Sequence, residues 1–236
     1  MYELEDNHFW FLGKRIYANA TIQPLASKIR KILDVGCGTG GLTKSLEKYG
    51  KVVGVEKNKY AAGLAKKRGL EVLGGNAQDL PFLDNEFDLV TLFDILYHRE
   101  IGDERKVIKE AYRVLKPKGF LLLTDSALPF LKSSHDIAVY GKRRYFLSEI
   151  TNLLKSQNFI ILRASYIYFF LFLAFIIKRL LIDKIAPREE VDSDVKKMPD
   201  IVNSLLLKII QLESALFKIG VSYPIGSSVI VLAQKK

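Results

Sequence analysis

The stretch Ile32-Leu33-Asp34-Val35-Gly36-Cys37-Gly38-Thr39-Gly40 runs from an apolar segment into a glycine-rich turn. The segment Lys31–Val35 predicts a buried strand, and the spacing of apolar residues over 42–49 predicts a helix directly after the turn. Glycine permits positive φ angles and lets a ligand approach the backbone where a helix begins. The stretch therefore predicts a ligand-binding turn at the carboxyl end of the first strand.

Two classes of ligand fit this turn. Gly36, Gly38 and Gly41 satisfy the GxGxxG spacing of dinucleotide-binding proteins, and Glu56, at the end of the next predicted strand, suits a ribose in either class. Asp34 separates the two classes, because a carboxylate repels a pyrophosphate and attracts a cationic ligand. The pattern favours a sulfonium cofactor with an amino-acid tail over NAD.

Short apolar strands alternate with helices along the chain. The predicted strands cover residues 31–35, 52–55, 71–74, 87–93, 120–124, 159–167 and 229–233, and the predicted helices cover 42–49, 60–68, 103–115, 148–156 and 201–219. Parallel strands need crossover connections, which pack as helices on both faces of the sheet. The pattern predicts an α/β fold with a doubly wound sheet.

Composition narrows the class of protein further. Of 236 residues, 49% are hydrophobic and 26% charged, which is enough apolar material for a sizeable core. The formal charge of +10 leaves nucleic acid, an anionic membrane surface and a phosphorylated substrate open as partners. A single cysteine, Cys37, excludes an internal disulfide, and the N-terminus has no signal-peptide pattern, so we expect a cytoplasmic protein.

The motifs in residues 30–125 resemble those of the class I S-adenosylmethionine-dependent methyltransferases. In that family the glycine turn holds the methionine part of the cofactor, an acid such as Glu56 binds both ribose hydroxyls, and a segment like 75–78 flanks the adenine. Asn76 stands where Asp is usual, and its side-chain oxygen can still accept a hydrogen bond from the adenine amino group. The resemblance implies S-adenosylmethionine as cofactor and the following cofactor-binding residues: Asp34, Gly36, Cys37, Gly38, Gly40, Glu56, Lys57, Asn76, Ala77, Gln78 and Phe93.

The resemblance also implies the arrangement of the strands. Residues 87–98 resemble the fourth strand of the family and the edge of its active site, and residues 113–120 resemble the entry to the fifth strand. The family fold is a Rossmann-like sheet of seven strands, mostly parallel, with an antiparallel last strand. We expect that fold for residues 31–167 and 221–236, with no metal site.

Candidate catalytic residues follow the fourth and fifth strands, because open α/β sheets bind ligands at the carboxyl ends of their strands. His98 and Tyr97 follow the fourth strand, and His135, Tyr140 and Arg144 follow the fifth. His98 is the candidate general base, with an equally weighted alternative in which it caps a turn or lines the pocket. For Arg144 there are two alternatives: it binds a phosphate or carboxylate of the acceptor, or it belongs to a solvated basic turn.

The two regions outside the predicted sheet have open roles. Residues 1–30 carry the cluster His8-Phe9-Trp10-Phe11 and are predicted to form a helical lid, with packing against the sheet edge as the alternative. Residues 168–220 are predicted to form an apolar helical insertion between strands six and seven. Its apolar surface could be buried between its own helices, meet a lipophilic acceptor or the membrane, or form a homodimer interface.

The acceptor class is inferred from what the sequence lacks as well as from the resemblance. There is no basic arm, and Asp94-Ile95-Leu96-Tyr97-His98 stands where many base methyltransferases have Asn-Pro-Pro-Tyr. We therefore expect methyl transfer to an oxygen or nitrogen of a small or lipid-linked acceptor. A catalytically silent S-adenosylmethionine-binding protein and a nucleic-acid methyltransferase are the alternatives.

Overall fold

A computed structural model describes residues 2–132, 134–173, 176 and 197–236. Its centre is a sheet of seven strands: β1 Lys31–Val35, β2 Lys51–Glu56, β3 Glu71–Gly74, β4 Phe87–Phe93, β5 Leu115–Ser126, β6 Phe159–Ile167 and β7 Ser228–Lys235. The spatial order is β3-β2-β1-β4-β5-β7-β6. Pairings from β3 across to β5 are parallel, and β7 runs antiparallel to both of its neighbours. The predicted doubly wound α/β fold with an antiparallel last strand is confirmed.

Helices cover the sheet and begin at residues suited to that position. They are α1 Phe9–Ile22, α2 Gly41–Leu46, α3 Lys59–Lys67, α4 Glu104–Val114, α5 Ser134–Ala138, α6 Leu147–Ser156 and α7 Asp200–Lys218, and residues 169–173 are also helical. Asn58 caps α3 by accepting hydrogen bonds from two backbone N–H groups, and Asp103 caps α4 through the N–H of Arg105. These side chains fix where the loops beside the sheet end and the helices start.

The order of the strands places a crevice beside β1 and β4. The chain winds outward from β1 through β2 to β3, and outward from β4 to β5, so the direction of winding reverses between β1 and β4. Ligands bind outside the carboxyl ends of the strands at such a point. Both strands are held rigidly, because Leu33, Leu89 and Leu92 are among the core side chains that are completely buried.

A buried carboxylate ties the segment after β6 to α1. Glu213 of α7 accepts a hydrogen bond of 2.5 Å from the Tyr17 hydroxyl and bonds of 2.9 and 3.2 Å from the backbone N–H groups of Phe169 and Phe170. Glu213 is completely buried, and among the described residues these donors compensate its carboxylate for the loss of water. The described part of the predicted insertion therefore packs on the N-terminal helix.

The outer face of α7 keeps several apolar side chains in solvent, with Ile201 84% and Leu205 58% exposed. Within the predicted insertion, residues 174, 175 and 177–196 lie outside the described residues. Across the ranges the structure describes, no helix has the length and apolar character needed to cross a membrane.

Candidate functional site

A cavity of about 210 Å³ opens at the carboxyl ends of β1, β2, β3 and β4. It is lined by Gly36, Val55, Glu56, Lys57, Gly75, Asn76, Ala77, Phe93, Asp94, Ile95, His98, Glu100 and Ile101. Six of the predicted cofactor-binding residues lie in this wall: Gly36, Glu56, Lys57, Asn76, Ala77 and Phe93. The structure thus brings together residues from the carboxyl ends of four strands that the motifs had selected.

The glycine turn needs glycine at two positions for different reasons. Gly36 has a φ of 68°, and a Cβ there would lie 2.1 Å from the Cδ1 atom of Ile95. Gly38 has a φ of 56° and open space where its Cβ would be. Gly36 is therefore required for packing and conformation, whereas at Gly38 conformation alone opposes a side chain. Of the residues in the turn, Gly36 lines the cavity.

Asp34 supports the turn from below and lies outside the cavity wall. Its two carboxylate oxygens accept hydrogen bonds of 2.6 Å from the hydroxyls of Thr43 and Thr91. Burial nevertheless raises the pKa of Asp34 to about 6. Asp34 joins β1, α2 and β4 at the point where the turn begins, so its contacts position the turn.

Cys37 also lies beneath the turn. Its sulfur packs against Gly54, where a Cβ would lie 2.7 Å from it, and burial raises the pKa of the thiol. Gly40, with a φ of 84°, starts α2 against Leu70. Both residues shape the turn from the side opposite the cavity.

Glu56 links the first two loops of the site. Its carboxylate accepts hydrogen bonds from the backbone N–H groups of Gly38 at 2.9 Å and Asn58 at 2.8 Å. In the third loop, the side-chain oxygen of Asn76 accepts a hydrogen bond from the N–H of Gln78. Gln78 itself turns away and accepts from the N–H of Asp103 at 3.0 Å. Gln78 therefore connects the loop to α4, and its side chain is not in the cavity wall.

The site fits a nucleoside cofactor with a charged tail. Glu56 supplies a carboxylate, the acceptor that a ribose diol requires, and the backbone of Gly36 lines the cavity beside it. In the same turn, the buried hydroxyl of Thr39 has no hydrogen-bond partner among the described residues. A buried polar atom without a partner is costly unless a ligand or water satisfies it.

His98 lies in the cavity wall with one ring nitrogen engaged. The ring Nδ1 accepts a hydrogen bond of 3.3 Å from the backbone N–H of Glu100. The backbone N–H of His98 donates to the carbonyl of Ile95. Burial lowers the pKa of His98, which favours the neutral ring. In the neutral ring an accepting Nδ1 leaves the proton on Nε2. His98 in this geometry both caps a turn and presents an N–H donor.

The candidate side chains of Tyr97, Tyr140 and Arg144 have partners within the protein. The Tyr97 hydroxyl donates to the carbonyl of Val139 at 3.3 Å, and the Tyr140 ring lies 6.0 Å from that of His98, centroid to centroid. Arg144 forms a buried ion pair with Asp136, at 2.8 Å from its Nε. The backbone of residue 135 belongs to α5, and its side chain lies outside the described residues. Tyr97, Tyr140 and Arg144 are not part of the cavity wall.

Three titratable residues that sequence reasoning did not select lie around the end of β4: Lys14 of α1, Asp94 after β4 and Asp125 of β5. Lys14 of α1 forms an ion pair with Asp94, which follows β4 directly and lines the cavity. Burial lowers the pKa of Lys14 to about 8, so its ammonium stays mostly charged at neutral pH. Asp125 accepts hydrogen bonds from the N–H groups of Leu96 and Tyr97, and burial raises its pKa to about 7.

The position of Asp94 follows from the rule that selected His98, since both residues lie in the segment that follows β4. Lys14 has no comparable signal, because only the folded chain brings α1 to the end of β4.

Comparison with known proteins gives a consistent family. Residues 33–123 match the model of a methyltransferase domain. The chain is similar to a demethylmenaquinone methyltransferase of Oceanobacillus iheyensis, with 36% identity over 110 residues, which is 42% of this chain and 45% of that enzyme. It is 32% identical to the uncharacterized protein MJ1123 of Methanocaldococcus jannaschii over 170 residues, 68% of this chain and 80% of that protein.

A solved structure agrees along nearly the whole chain. A SAM-dependent methyltransferase of Thermotoga maritima superposes with a TM-score of 0.61 at 22% identity, over 96% of this chain and 93% of the other. That likeness concerns the fold, whereas the matched sequence spans less than half of the quinone-modifying relative. Fold, cavity and matched sequence agree: the chain belongs to the class I S-adenosylmethionine-dependent methyltransferase family.

Proposed function

We propose that this protein transfers the methyl group of S-adenosylmethionine to an oxygen or nitrogen of a small or lipid-linked acceptor. The observation that carries the proposal is the convergence of Gly36, Glu56 and Asn76 on one cavity at the reversal point of the sheet. When bound, the cofactor supplies a methyl group already activated on a sulfonium. The protein then has to bind, orient and exclude water.

The cavity residues divide these tasks. Glu56 would accept hydrogen bonds from the ribose, Asn76 and Ala77 would flank the base, and Gly36 would allow the tail to pass close to the backbone. The apolar side chains of Ile95 and Ile101 would keep water from the transferring methyl group. We propose that α1 acts as the lid, because its Lys14 reaches the end of β4.

His98 is proposed to orient the acceptor through its Nε2 N–H. In the tautomer described above, His98 cannot take a proton at Nε2. An acceptor nitrogen with a free electron pair can attack the methyl group without a base, so this tautomer is compatible with a nitrogen acceptor. For an acceptor hydroxyl, a proton acceptor other than this His98 tautomer is required. Tyr97, Tyr140, Arg144 and His135 stay candidates for contacts with the acceptor.

The acceptor is proposed to be lipophilic. The similar Oceanobacillus protein is named for a menaquinone precursor, and the exposed apolar side chains of α7 offer a surface on which such a molecule or a lipid bilayer could rest. Flotation with liposomes, with and without anionic lipid, tests the bilayer contact. Sedimentation of the same sample tests a homodimer, and a monomer that does not float would contradict both contacts.

Titration calorimetry tests the cofactor directly. We expect binding of S-adenosylmethionine and S-adenosylhomocysteine and none of NAD. Glu56→Gln should weaken binding at least ten-fold, whereas Glu71→Gln, at an exposed ion pair with Lys51, should leave it unchanged. Binding of NAD without either adenosyl ligand would contradict the proposal.

A transfer assay separates an enzyme from a silent binding protein. Labelled S-adenosylmethionine is incubated with the protein and with lipid and polar cell extracts, and the labelled product is fractionated. Label in a lipid or small-molecule fraction is expected. Label in nucleic acid would favour a nucleic-acid methyltransferase, and binding without any transfer would favour a silent module.

A further inference from the structure

An arginine and a tyrosine form a stack beside the cavity, next to His98. The guanidinium carbon of Arg99 lies 4.2 Å from the centre of the Tyr140 ring, and that ring lies 6.0 Å from the ring of His98, centroid to centroid. His98 and Glu100, which flank Arg99 in the chain, line the cavity, whereas Arg99 and Tyr140 lie outside its wall. The stack is therefore adjacent to the cavity at His98.

The backbone holds the two stacked residues together. His98 and Gly141 form an antiparallel bridge, and the N–H of Arg99 donates to the carbonyl of Tyr140 at 2.8 Å. Tyr140 has a φ of 58°, a left-handed conformation that is strained for a residue other than glycine. Its side chain is 51% exposed, so burial of the ring in the core does not account for this strain. A strained backbone that holds an aromatic ring in solvent beside a cavity indicates a binding role.

The charge of Arg99 is not neutralised as the neighbouring cations are. Among the described residues, no carboxylate is in ion-pair contact with Arg99, and the adjacent Glu100 pairs with Lys57. Cations of the segment after β5 are paired as follows: Lys142 with Glu104 at 2.8 Å, Arg143 with Glu149 at 2.5 Å and Arg144 with Asp136 at 2.8 Å. Arg144, the arginine for which the sequence suggested an anionic ligand, is thus already occupied by a carboxylate. Arg99 keeps its guanidinium available to a ligand.

A guanidinium stacked on an aromatic ring is suited to bind an anion. The ring holds the guanidinium plane, and the N–H groups at its edge donate to a phosphate or a carboxylate in bidentate geometry. The exposed ring of Tyr140 and the exposed side chain of Ile137 add apolar surface beside that position. The net charge of +10 also favours an anionic ligand.

We propose that the Arg99–Tyr140 stack binds a phosphate or carboxylate group of the methyl acceptor, while the reacting oxygen or nitrogen of the acceptor lies at His98 in the cavity. An acceptor bound in this way extends out of the cavity, and its apolar part rests on Tyr140. This inference rests on the proposed function and narrows its acceptor to a molecule that carries an anionic group next to an apolar part.

Binding of small probes tests the proposal without knowledge of the acceptor. The protein is saturated with S-adenosylhomocysteine and titrated with phenyl phosphate, benzoate or neutral phenol. The ring signals of His98 in NMR spectra, identified by their loss in His98→Gln, report binding because this ring lies beside Tyr140. Phenyl phosphate and benzoate should shift these signals saturably, and phenol should bind about five-fold more weakly or less. The tighter of the two anions identifies the charged group of the acceptor.

Variants assign the effect to Arg99. Arg99→Gln should weaken both anions about five-fold or more and leave phenol unchanged, and Arg99→Lys should give intermediate affinities because it keeps the charge without the planar fork. Arg30→Gln is the matched control, because it removes an exposed arginine just before β1, at the opposite edge of the sheet, and should alter no affinity. Calorimetry should give the same affinity for S-adenosylhomocysteine in every variant, which shows that each one is folded.

Three results would overturn the inference alone, provided that the unaltered protein binds S-adenosylhomocysteine. They are binding of phenol as tight as that of the anions, no shift of the His98 signals by either anion, and unchanged affinity for the anions in Arg99→Gln. If the unaltered protein bound no S-adenosylhomocysteine, the proposed function itself would be overturned.

Discussion

The hydrogen bond between Tyr17 and Glu213 should carry an unusually large share of the stability of the N-terminal helix. Tyr17→Phe deletes one hydroxyl and keeps the ring, which is completely buried and lies edge-on to Tyr168 and Phe217. Burial and the adjacent carboxylate raise the pKa of Tyr17, so its hydroxyl remains a donor throughout the neutral range. The substitution therefore removes one defined interaction.

The expected cost follows from the geometry. A hydrogen bond to a charged group contributes about 1.5–3 kcal/mol, and this one is short, at 2.5 Å, and fully buried. Glu213 would keep its two backbone donors, so its charge stays largely satisfied. A loss of about 2 kcal/mol corresponds to a fall in Tm of about 4–8 °C for a chain of this size.

Thermal unfolding followed by circular dichroism, together with urea titration, measures the effect. Tyr49→Phe is the matched control, because its hydroxyl donates at 3.2 Å to the neutral side chain of Asn19 and should cost less than about 1 kcal/mol. A double-mutant cycle with Glu213→Gln should show coupling above about 0.5 kcal/mol. A Tyr17→Phe protein as stable as the unaltered chain, or additive changes in the cycle, would refute this account.

Two further predictions concern the site. Gly36→Ala should lower both stability and affinity for S-adenosylhomocysteine, because its Cβ would overlap Ile95. Gly38→Ala should cost only about 1 kcal/mol of conformational strain. If the two substitutions had equal effects on unfolding and on binding measured by calorimetry, the packing argument would be contradicted. Asp125 has a pKa of about 7 in the folded state, above that of an Asp in the unfolded chain. Between pH about 4 and about 7 the folded protein therefore holds a proton on Asp125 that the unfolded chain has lost, and stability falls as pH rises through this range. Asp125→Asn should flatten this decline in Tm measured from pH 5 to 8, and an undiminished slope would exclude Asp125 as its source.

The fold could be predicted because each strand is signalled by residues that are adjacent in the sequence. Each strand of the parallel half is a short apolar run followed by a polar or glycine-rich break, and the predicted spans 31–35, 71–74, 87–93 and 159–167 coincide with the observed ones. β5 differs, since it begins at Leu115 and not at residue 120. Pro117 and Gly119 resemble a turn in sequence, yet Leu115 pairs with Phe87 across an irregularity in the register.

The site was predictable only where a motif is contiguous. The glycine turn and Glu56 were identified because they lie at the carboxyl ends of predicted strands, and Asn76 was identified from the family resemblance; all three lie at the same edge of the sheet. The roles of Asp34 and Gln78 were less accessible, since their partners, Thr91 and Asp103, are set by tertiary packing. Contacts across distant segments leave no periodic signal in a single sequence.

The attachment of α7 to α1 bears on how this protein can be recombined with its relatives. A chimera that takes α1 with the sheet and its crossover helices, but leaves out α7, would carry Tyr17 into a background without Glu213. The transplanted N-terminal helix would then lose the anchor that holds it beside β4, even though every residue of the glycine turn was retained. Residues 9–22, 168–173 and 200–218 should therefore be exchanged as one cassette when parts of this enzyme family are swapped.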